Sequence, residues 1–347
     1  MRSKVVFCWS GFPQYAARCV GAFVKRTGAD VKVIATRPKV PVEGMENLCG
    51  CPVRWVEWDD MQLDVGNVDV VCVTGWHVPA FVKFFNRARR GGSRVVCMID
   101  NNMSLMLSPR ERATEVAKKW RFKLLKERLF DGYIVPGRSG RRLLEWYGVD
   151  PSLISEGMYS ADSLLFYDGG ALDKRPKRVI YVGQFSERKN VRRLCDAFRA
   201  LIDRDGWELH MYGCGPIKIA SGDGVVAHPF RQPDELAGEY RMSRVFCLPS
   251  IEEHWGLVVH EAALSGCALC LSERIGAAED FIGEKNGRTF DPFRTADLSA
   301  KLSELMSLDG EELCRVHDES VRLASRASLD RFVEAVSRWL NKSNILW

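Results

Sequence analysis

No apolar run in this 347-residue sequence reaches the roughly 18–20 residues that span a bilayer, so a membrane-crossing helix is not expected. The N-terminus offers no secretory leader: after Met1-Arg2-Ser3-Lys4 only Val5 to Trp9 is apolar before Ser10-Gly11, and no small-residue cleavage site follows. No three-glycine fingerprint follows the first strand candidate, and Gly-Lys-Ser/Thr occurs nowhere. That disfavours a nicotinamide dehydrogenase and a phosphate-loop NTPase. RNA-recognition and zinc-finger signatures are missing, which sets nucleic acid aside. There is no short-period repeat and no low-complexity tract. The 12 cysteines, without a leader, point to a reducing compartment, hence a soluble cytoplasmic protein.

What is present is globular. Hydrophobic residues make up 46% and charged residues 27%, which excludes disorder, collagen and coiled coil; the length predicts about two domains. The net charge of +5 is uneven. Residues 1–170 hold 25 Lys+Arg and 18 Asp+Glu, residues 171–347 hold 25 and 27, and 110–128 alone holds eight cations and three carboxylates. Such a basic segment meets nucleic acid, an anionic membrane surface or an acidic substrate.

Short Val- and Ile-rich runs alternate with amphipathic stretches. Strands are expected at 5–9, 31–35, 53–58, 68–73, 95–99 and 133–135, with helices at 14–27, 79–90, 109–130 and 140–147. The polar stretch 168–177, with its glycines and Pro176, reads as a linker. Beyond it strands recur at 179–182, 209–212, 225–227, 245–248 and 268–271, with helices at 191–202, 234–242, 257–265, 296–307, 311–325 and 330–340. The expected organisation is α/β: two Rossmann-like doubly wound domains, 1–168 and 174–327, facing a cleft, with 328–347 crossing back to the first.

Three segments carry chemistry. Val182-Gly183-Gln184-Phe185-Ser186-Glu187-Arg188-Lys189-Asn190 joins a strand to a helix, and its backbone N–H groups and cations suit a diphosphate; it also reads as a solvated basic first turn. Met211-Tyr212-Gly213-Cys214-Gly215-Pro216 is a Gly-x-Gly turn, equally readable as structural. The third runs from Leu248 to Gly266. Glu253 lies in its loop and Glu261 about one turn inside its helix, where carboxylates can accept from neutral hydroxyls. Glu253 can equally be a carboxylate that favours the helix dipole.

Glu253 and Glu261, within E-H-W-G-L-V-V-H-E-A-A-L-S-G (253–266), resemble the paired-glutamate signature of glycosyltransferase family 4, retaining enzymes of the GT-B fold. The resemblance extends through V-G-Q-F-S-E-R-K-N (182–190), M-Y-G-C-G-P (211–216) and N-G-R-T-F-D-P (286–292), and weakly to F-D-G-Y-I-V-P-G (130–137) with Y-S-A-D (159–162). It implies a metal-independent hexosyltransferase that uses a nucleotide diphosphate sugar, UDP-hexose ahead of a GDP-sugar, and needs no cofactor. Its acceptor would be a carbohydrate or a lipid-linked hydroxyl. In that likeness Glu261 binds the donor ribose, Glu253 the sugar hydroxyls, and Lys189 the distal phosphate. Gly183, Gln184 and Gly213 line the phosphates, and the backbone of His254, Trp255, Gly256 and Leu257 lies near sugar and phosphate. The base sits around His228-Pro229-Phe230, and Gly11, in S-G-F-P (10–13), lets the first domain approach the diphosphate. Two departures stand out. Gln184 replaces a frequent arginine, with Arg188 the candidate substitute, and Asp100 stands where the family often has histidine. Asp100 reads as an acceptor for a donor-sugar or acceptor hydroxyl, or as a strand-end cap. A catalytically lapsed sugar-nucleotide-binding or scaffold protein of the same fold is the alternative; phosphorylase and epimerase chemistry have no supporting motif.

Other candidates read as structure: Asp203-Arg204-Asp205 as a turn, Cys267-Ala268-Leu269-Cys270 as strand, and Cys49-Gly50-Cys51 without a second ligand pair. His77, in T-G-W-H (74–77), is a cleft or structural histidine, and Trp9, Phe12, Trp76 and Trp255 are stacking or core aromatics. On the basic helix Val116, Ala117, Trp120 and Leu124 form one stripe and Phe122, Leu125 and Leu129 another. One stripe can pack while the other meets anionic lipid through 110–130; a helix buried on both sides is the other reading.

Overall fold

The computed structural model describes residues 2–38, 41–60, 66–102, 109–125 and 129–340, the side chains of Pro109 and Leu125 apart. It divides into two compact units. The first holds the described residues up to Ser160 together with 328–340, and the second holds Ala161–Ala327.

In chain order the first unit contains β1 (Lys4–Trp9), α1 (Gln14–Thr27), β2 (Asp30–Ala35), α2 (Met45–Cys49), β3 (Val53–Trp55), β4 (Val70–Val73), α3 (Pro79–Arg90), β5 (Arg94–Met98), α4 (Pro109–Leu125), β6 (Gly132–Val135), α5 (Arg138–Tyr147) and β7 (Ile154–Glu156). Its strands lie in the order β3-β2-β1-β4-β5-β6-β7, every pair parallel. The central strands are buried along their length, as sheet covered on both faces requires. Local signals set the ends. Pro79 opens α3 at a position where a missing N–H costs nothing, and Gly28, at φ 63°, closes α1 and donates to the Val24 carbonyl.

The second unit contains β8 (Arg178–Val182), α6 (Val191–Arg199), β9 (Glu208–Tyr212), β10 (Val225–His228), α7 (Pro233–Arg241), β11 (Val245–Leu248), α8 (Leu257–Leu264), β12 (Ala268–Ser272), α9 (Ala278–Phe281), β13 (Gly287–Phe290), α10 (Thr295–Met306) and α11 (Gly310–Ala324). The parallel sheet runs β10-β9-β8-β11-β12-β13. Capping boxes start α7 (Gln232 with Glu235) and α11 (Asp309 with Glu312). The last helix, α12 (Leu329–Ser337), groups with the first unit.

The structure differs from the sequence reading in several places. The chain divides at Ser160/Ala161, not in 168–177. That stretch is anchored: Leu172 and Arg175 are buried, and the Arg175 guanidinium donates to the carbonyls of Gly170 (2.8 Å) and Ser243 (3.1 Å). β3 stops at Trp55, and Trp58 is exposed. α6 stops at Arg199 because the chain turns through Asp205 and Gly206, both at positive φ, and Ile202 stands in solvent. Short α2, β7, α9 and β13 were not expected. The basic helix expected over 109–130 is described as far as Leu125; Lys126, Glu127, Arg128 and the tail after Leu340 lie outside the described residues. Among the described residues no helix is long and apolar enough to cross a membrane.

Candidate functional site

Each sheet reverses strand order beside its first strand, at β1/β4 in one unit and β8/β11 in the other. Ligands of open α/β sheets bind outside the carboxyl ends of the strands at this switch point. In the second unit the loops leaving β8, β9 and β11 carry the three segments singled out from sequence.

Glycine is required at the first two turns. Gly183, at φ 156°, donates to the Tyr212 carbonyl (3.0 Å), and a Cβ there would come within 2.8 Å of the Tyr181 hydroxyl. At Gly213, φ 158°, a Cβ would fall on the Gly183 carbonyl oxygen. The two turns thus lie against each other, tied also by the Phe185 N–H on the Cys214 carbonyl (2.8 Å). The Gln184 side chain is exposed, and its carbonyl accepts from Tyr181 (2.9 Å).

The β8 loop is also fastened to the β11 loop. Asn190 adopts φ 56°, a conformation asparagine tolerates, and its amide donates to the carbonyls of Pro249 (3.1 Å) and Pro292 (2.8 Å). The Ile251 N–H meets the Arg188 carbonyl at 3.0 Å. This presents Arg188 and Lys189 to Glu253. The Lys189 ammonium, in a residue only 8% exposed, is ion-paired with the Glu253 carboxylate. Arg188 Nη1 lies 3.4 Å from the same oxygen and donates to the Glu252 carbonyl at 2.6 Å, while Ser250 donates to Glu253 at 3.4 Å. Two cations and a hydroxyl converge on one carboxylate, so the anion they hold here is the chain's own.

Glu253 is held in turn by the Arg274 carbonyl (3.3 Å from its N–H) and the Gly276 N–H (3.1 Å from its carbonyl). Gly256, at φ 88°, turns the chain into α8. The N–H groups of Trp255, Gly256 and Leu257 have no internal acceptor among the described residues, as the first turn of a helix leaves them. Trp255 is buried with its ring edge toward Phe281 (5.9 Å between centroids); its indole N–H and His254 Nδ1 are buried without a partner among the described residues.

Glu261 is half-buried one turn into α8, where it accepts from the Tyr240 hydroxyl at 3.0 Å. Burial pushes its carboxyl up to about 7, against the pull of that hydrogen bond. Beside it His260 is buried, stacked on Phe281 at 4.7 Å, and lowered by burial to about 4. The Ala161 N–H at 3.1 Å from Nδ1 and the Ala324 carbonyl at 3.0 Å from Nε2 place its proton on Nε2. After β10, Phe230 is half-buried beyond a parallel stack of His228 on Tyr212, centroids 4.2 Å apart, with Arg231 over the same tyrosine.

Of the residues singled out from sequence, the structure places Lys189, Arg188 and Gly256 around Glu253; Tyr240, Ser250 and Asn190 were not singled out. Only Asn190 left a signal, as a residue suited to positive φ just before a helix. In the first unit Gly11 follows β1 at φ 65°, its N–H on the Thr36 hydroxyl at 2.8 Å. Asp100, after β5, accepts from the buried Tyr159 hydroxyl at 3.1 Å. His77 meets the ring of Trp58 at 5.3 Å between centroids and that of Trp76 edge-on at 6.1 Å. Trp9 and Phe12 are core.

Residues 176–308 match the family described as Glycosyl transferases group 1. Among curated proteins, the D-inositol 3-phosphate glycosyltransferase of Rhodococcus opacus (strain B4) is 29% identical over 192 residues, 48% of this chain and 43% of that one. The sulfoquinovosyl transferase SQD2 of Arabidopsis thaliana is 30% identical over 168 residues, 46% and 32%. The chain spans half or less of the length of these relatives. Among solved structures, Anabaena Alr3699/HepE in complex with UDP and glucose superposes with TM-score 0.72 at 14% identity, covering 98% of this chain and 100% of that one. A glycosyltransferase from Rickettsia africae ESF-5 gives 0.74 at 12%, covering 99% and 100%. The fold is GT-B: two Rossmann-like units, each built on a parallel sheet.

Proposed function

We propose that this chain is a retaining, metal-independent glycosyltransferase that moves a hexose from a nucleoside diphosphate sugar to a hydroxyl. The observation that carries the reading is the convergence of Lys189 and Arg188 on Glu253 at the β8/β11 switch point. A donor diphosphate competes with Glu253 for these cations. Once it takes them, Glu253 is released to accept from sugar hydroxyls, and Lys189 and Arg188 stabilise the charge that develops on the leaving diphosphate. The N–H groups opening α8 add to that field. Glu261 accepts from the ribose hydroxyls. The acceptor hydroxyl attacks from the face the nucleotide leaves, and a donor phosphate oxygen takes its proton; the chain contributes position and electrostatics.

UDP-hexose is the first donor, in keeping with the HepE complex with UDP and glucose. The acceptor belongs to the class of glycan, glycolipid or other hydroxyl compounds, as the relatives named for inositol 3-phosphate and sulfoquinovose transfer suggest. A lapsed, sugar-nucleotide-binding reading is favoured by Gln184, whose exposed side chain supplies no charge at the first phosphate turn. The deciding experiment incubates the protein with UDP-glucose and no acceptor and follows the anomeric protons by NMR. Slow release of α-glucose supports a retaining enzyme, β-glucose overturns retention, and tight binding without turnover supports the lapsed reading.

A further inference from the structure

The observations that carry furthest lie outside the nucleotide site, on α3 and α4 of the first unit. Residues of α3 spaced by three and four, among them Lys83, Arg87 and Arg90, share one face. With Arg121 of α4, Trp76 and His77 they line a groove of about 730 Å³. None of the described residues lining it is a carboxylate.

α4 adds an apolar stripe beside this groove. At about 100° per residue, Val116, Trp120 and Leu124 fall on one side of the helix, and they are 45%, 58% and 78% exposed. Phe122 falls on the opposite side, where it is buried against Tyr133 and Tyr147. Of the two stripes legible in the sequence, the second therefore packs inward at Phe122 and the first stands in solvent. The charges sort in the same way. Glu115 faces the protein, binding Lys118 and reaching the Tyr147 hydroxyl at 3.5 Å, and Lys119 lies over the Trp146 ring at 4.8 Å. Exposed Arg110 and Arg121 flank one edge of the apolar stripe, and exposed Arg112 and Lys123 flank the other. A soluble surface does not need an aromatic-aliphatic stripe bordered by cations on both edges; an anionic bilayer complements it in both respects.

We infer that the first unit docks on an anionic phospholipid surface: Val116, Trp120 and Leu124 enter the headgroup boundary, and the groove formed by Lys83, Arg87, Arg90 and Arg121 receives a lipid phosphate. The inference is independent of the donor reading, since the residues differ.

The test is flotation of the full chain with phosphatidylcholine vesicles, with and without phosphatidylglycerol. Wild type floats only with the anionic vesicles, and salt releases it. Trp120→Ser with Leu124→Ser lowers the partition coefficient at least tenfold, and Lys83→Ala with Arg121→Ala lowers it about fivefold for each cation lost. All of these side chains are exposed, so equal melting temperatures for wild type and variants show that folding is not the cause. Protein left in solution with anionic vesicles, or variants that partition like wild type, overturns the proposal. So does a phosphate-dependent rise in melting temperature, abolished by Lys83→Ala with Arg121→Ala, in a protein that ignores vesicles: the groove then serves a soluble phosphate compound.

Discussion

At the scale of single residues, two neighbours in α8 are held in their neutral forms, and their pH dependences oppose each other. His260 is lowered to about 4, so its contribution is present above pH 6.5 and is lost as pH falls toward 4. Glu261 is raised to about 7, so its contribution is present below pH 4.5 and is lost as pH rises through 7. Between pH 5 and 6.5 the two changes are each about 1–2 kcal/mol and of opposite sign. Glu261→Gln keeps an acceptor for Tyr240 but removes one of them. Relative to wild type, this variant should lose about 1–2 kcal/mol between pH 6.5 and 5 in urea unfolding; parallel pH profiles would deny the opposition. The same carboxyl predicts that UDP binding at pH 6 releases a proton, because ribose hydroxyls donate to the ionised form, and calorimetry in two buffers of different ionisation heat measures it. Lys189→Ala takes from the largely buried Glu253 carboxylate its ion pair with the ammonium, a loss of about 1–3 kcal/mol. Adding Glu253→Ala should restore part of it, since the pair is coupled; a double variant that merely sums the two losses speaks against the pairing.

Among the elements, the strand–helix turns show what was legible in the sequence. Runs such as Val70–Val73 and Val245–Leu248 are apolar on both faces, and that pattern alone places them centrally in a parallel sheet. α1 and α3 match their expected bounds because Gly28 and Pro79 mark them. β7, α9 and β13 have three or four residues each, too few for periodicity to register. Within the site, Lys189 and Glu253 were legible as residue types, but their pairing spans 64 positions and depends on loops that only the sheet order brings side by side. Tyr240 reaches Glu261 from α7, and nothing in the spacing announced it. The turn into α8 gives a prediction at this scale. Gly256→Ala forces a Cβ at φ 88°, 3.2 Å from Glu253 Cγ, so it should cost about 1–2 kcal/mol and also weaken UDP binding. Gly28→Ala, at φ 63° in open space, bears comparable backbone strain and should leave UDP affinity unchanged. Equal affinity for both variants would detach the Gly256 turn from nucleotide binding.

For the molecule as a whole, order along the chain and membership of a unit part company at the C-terminal end. α12 follows the second unit in sequence but packs in the first. Phe332 is fully buried and stacks on Phe7 of β1 at 5.9 Å, Arg94 donates to the Trp339 carbonyl at 2.9 Å, and Arg331 lies 3.4 Å from Glu156 of β7. Gly132 opens β6 where any Cβ would run into the Trp339 indole. The first unit's core is therefore completed by the last described helix, and folding that unit waits for a segment made after the whole second unit. Phe332→Ala removes a fully buried aromatic and should cost the first unit about 3–5 kcal/mol. In calorimetry the transition of the first unit should move down and that of the second, identified by its shift with UDP, should hold. UDP affinity below the first transition should stay within twofold of wild type, because Lys189, Glu253 and Glu261 all belong to the other unit. A variant in which both transitions fall together, or in which UDP affinity collapses at a temperature where both units are folded, would show that α12 serves the second unit instead.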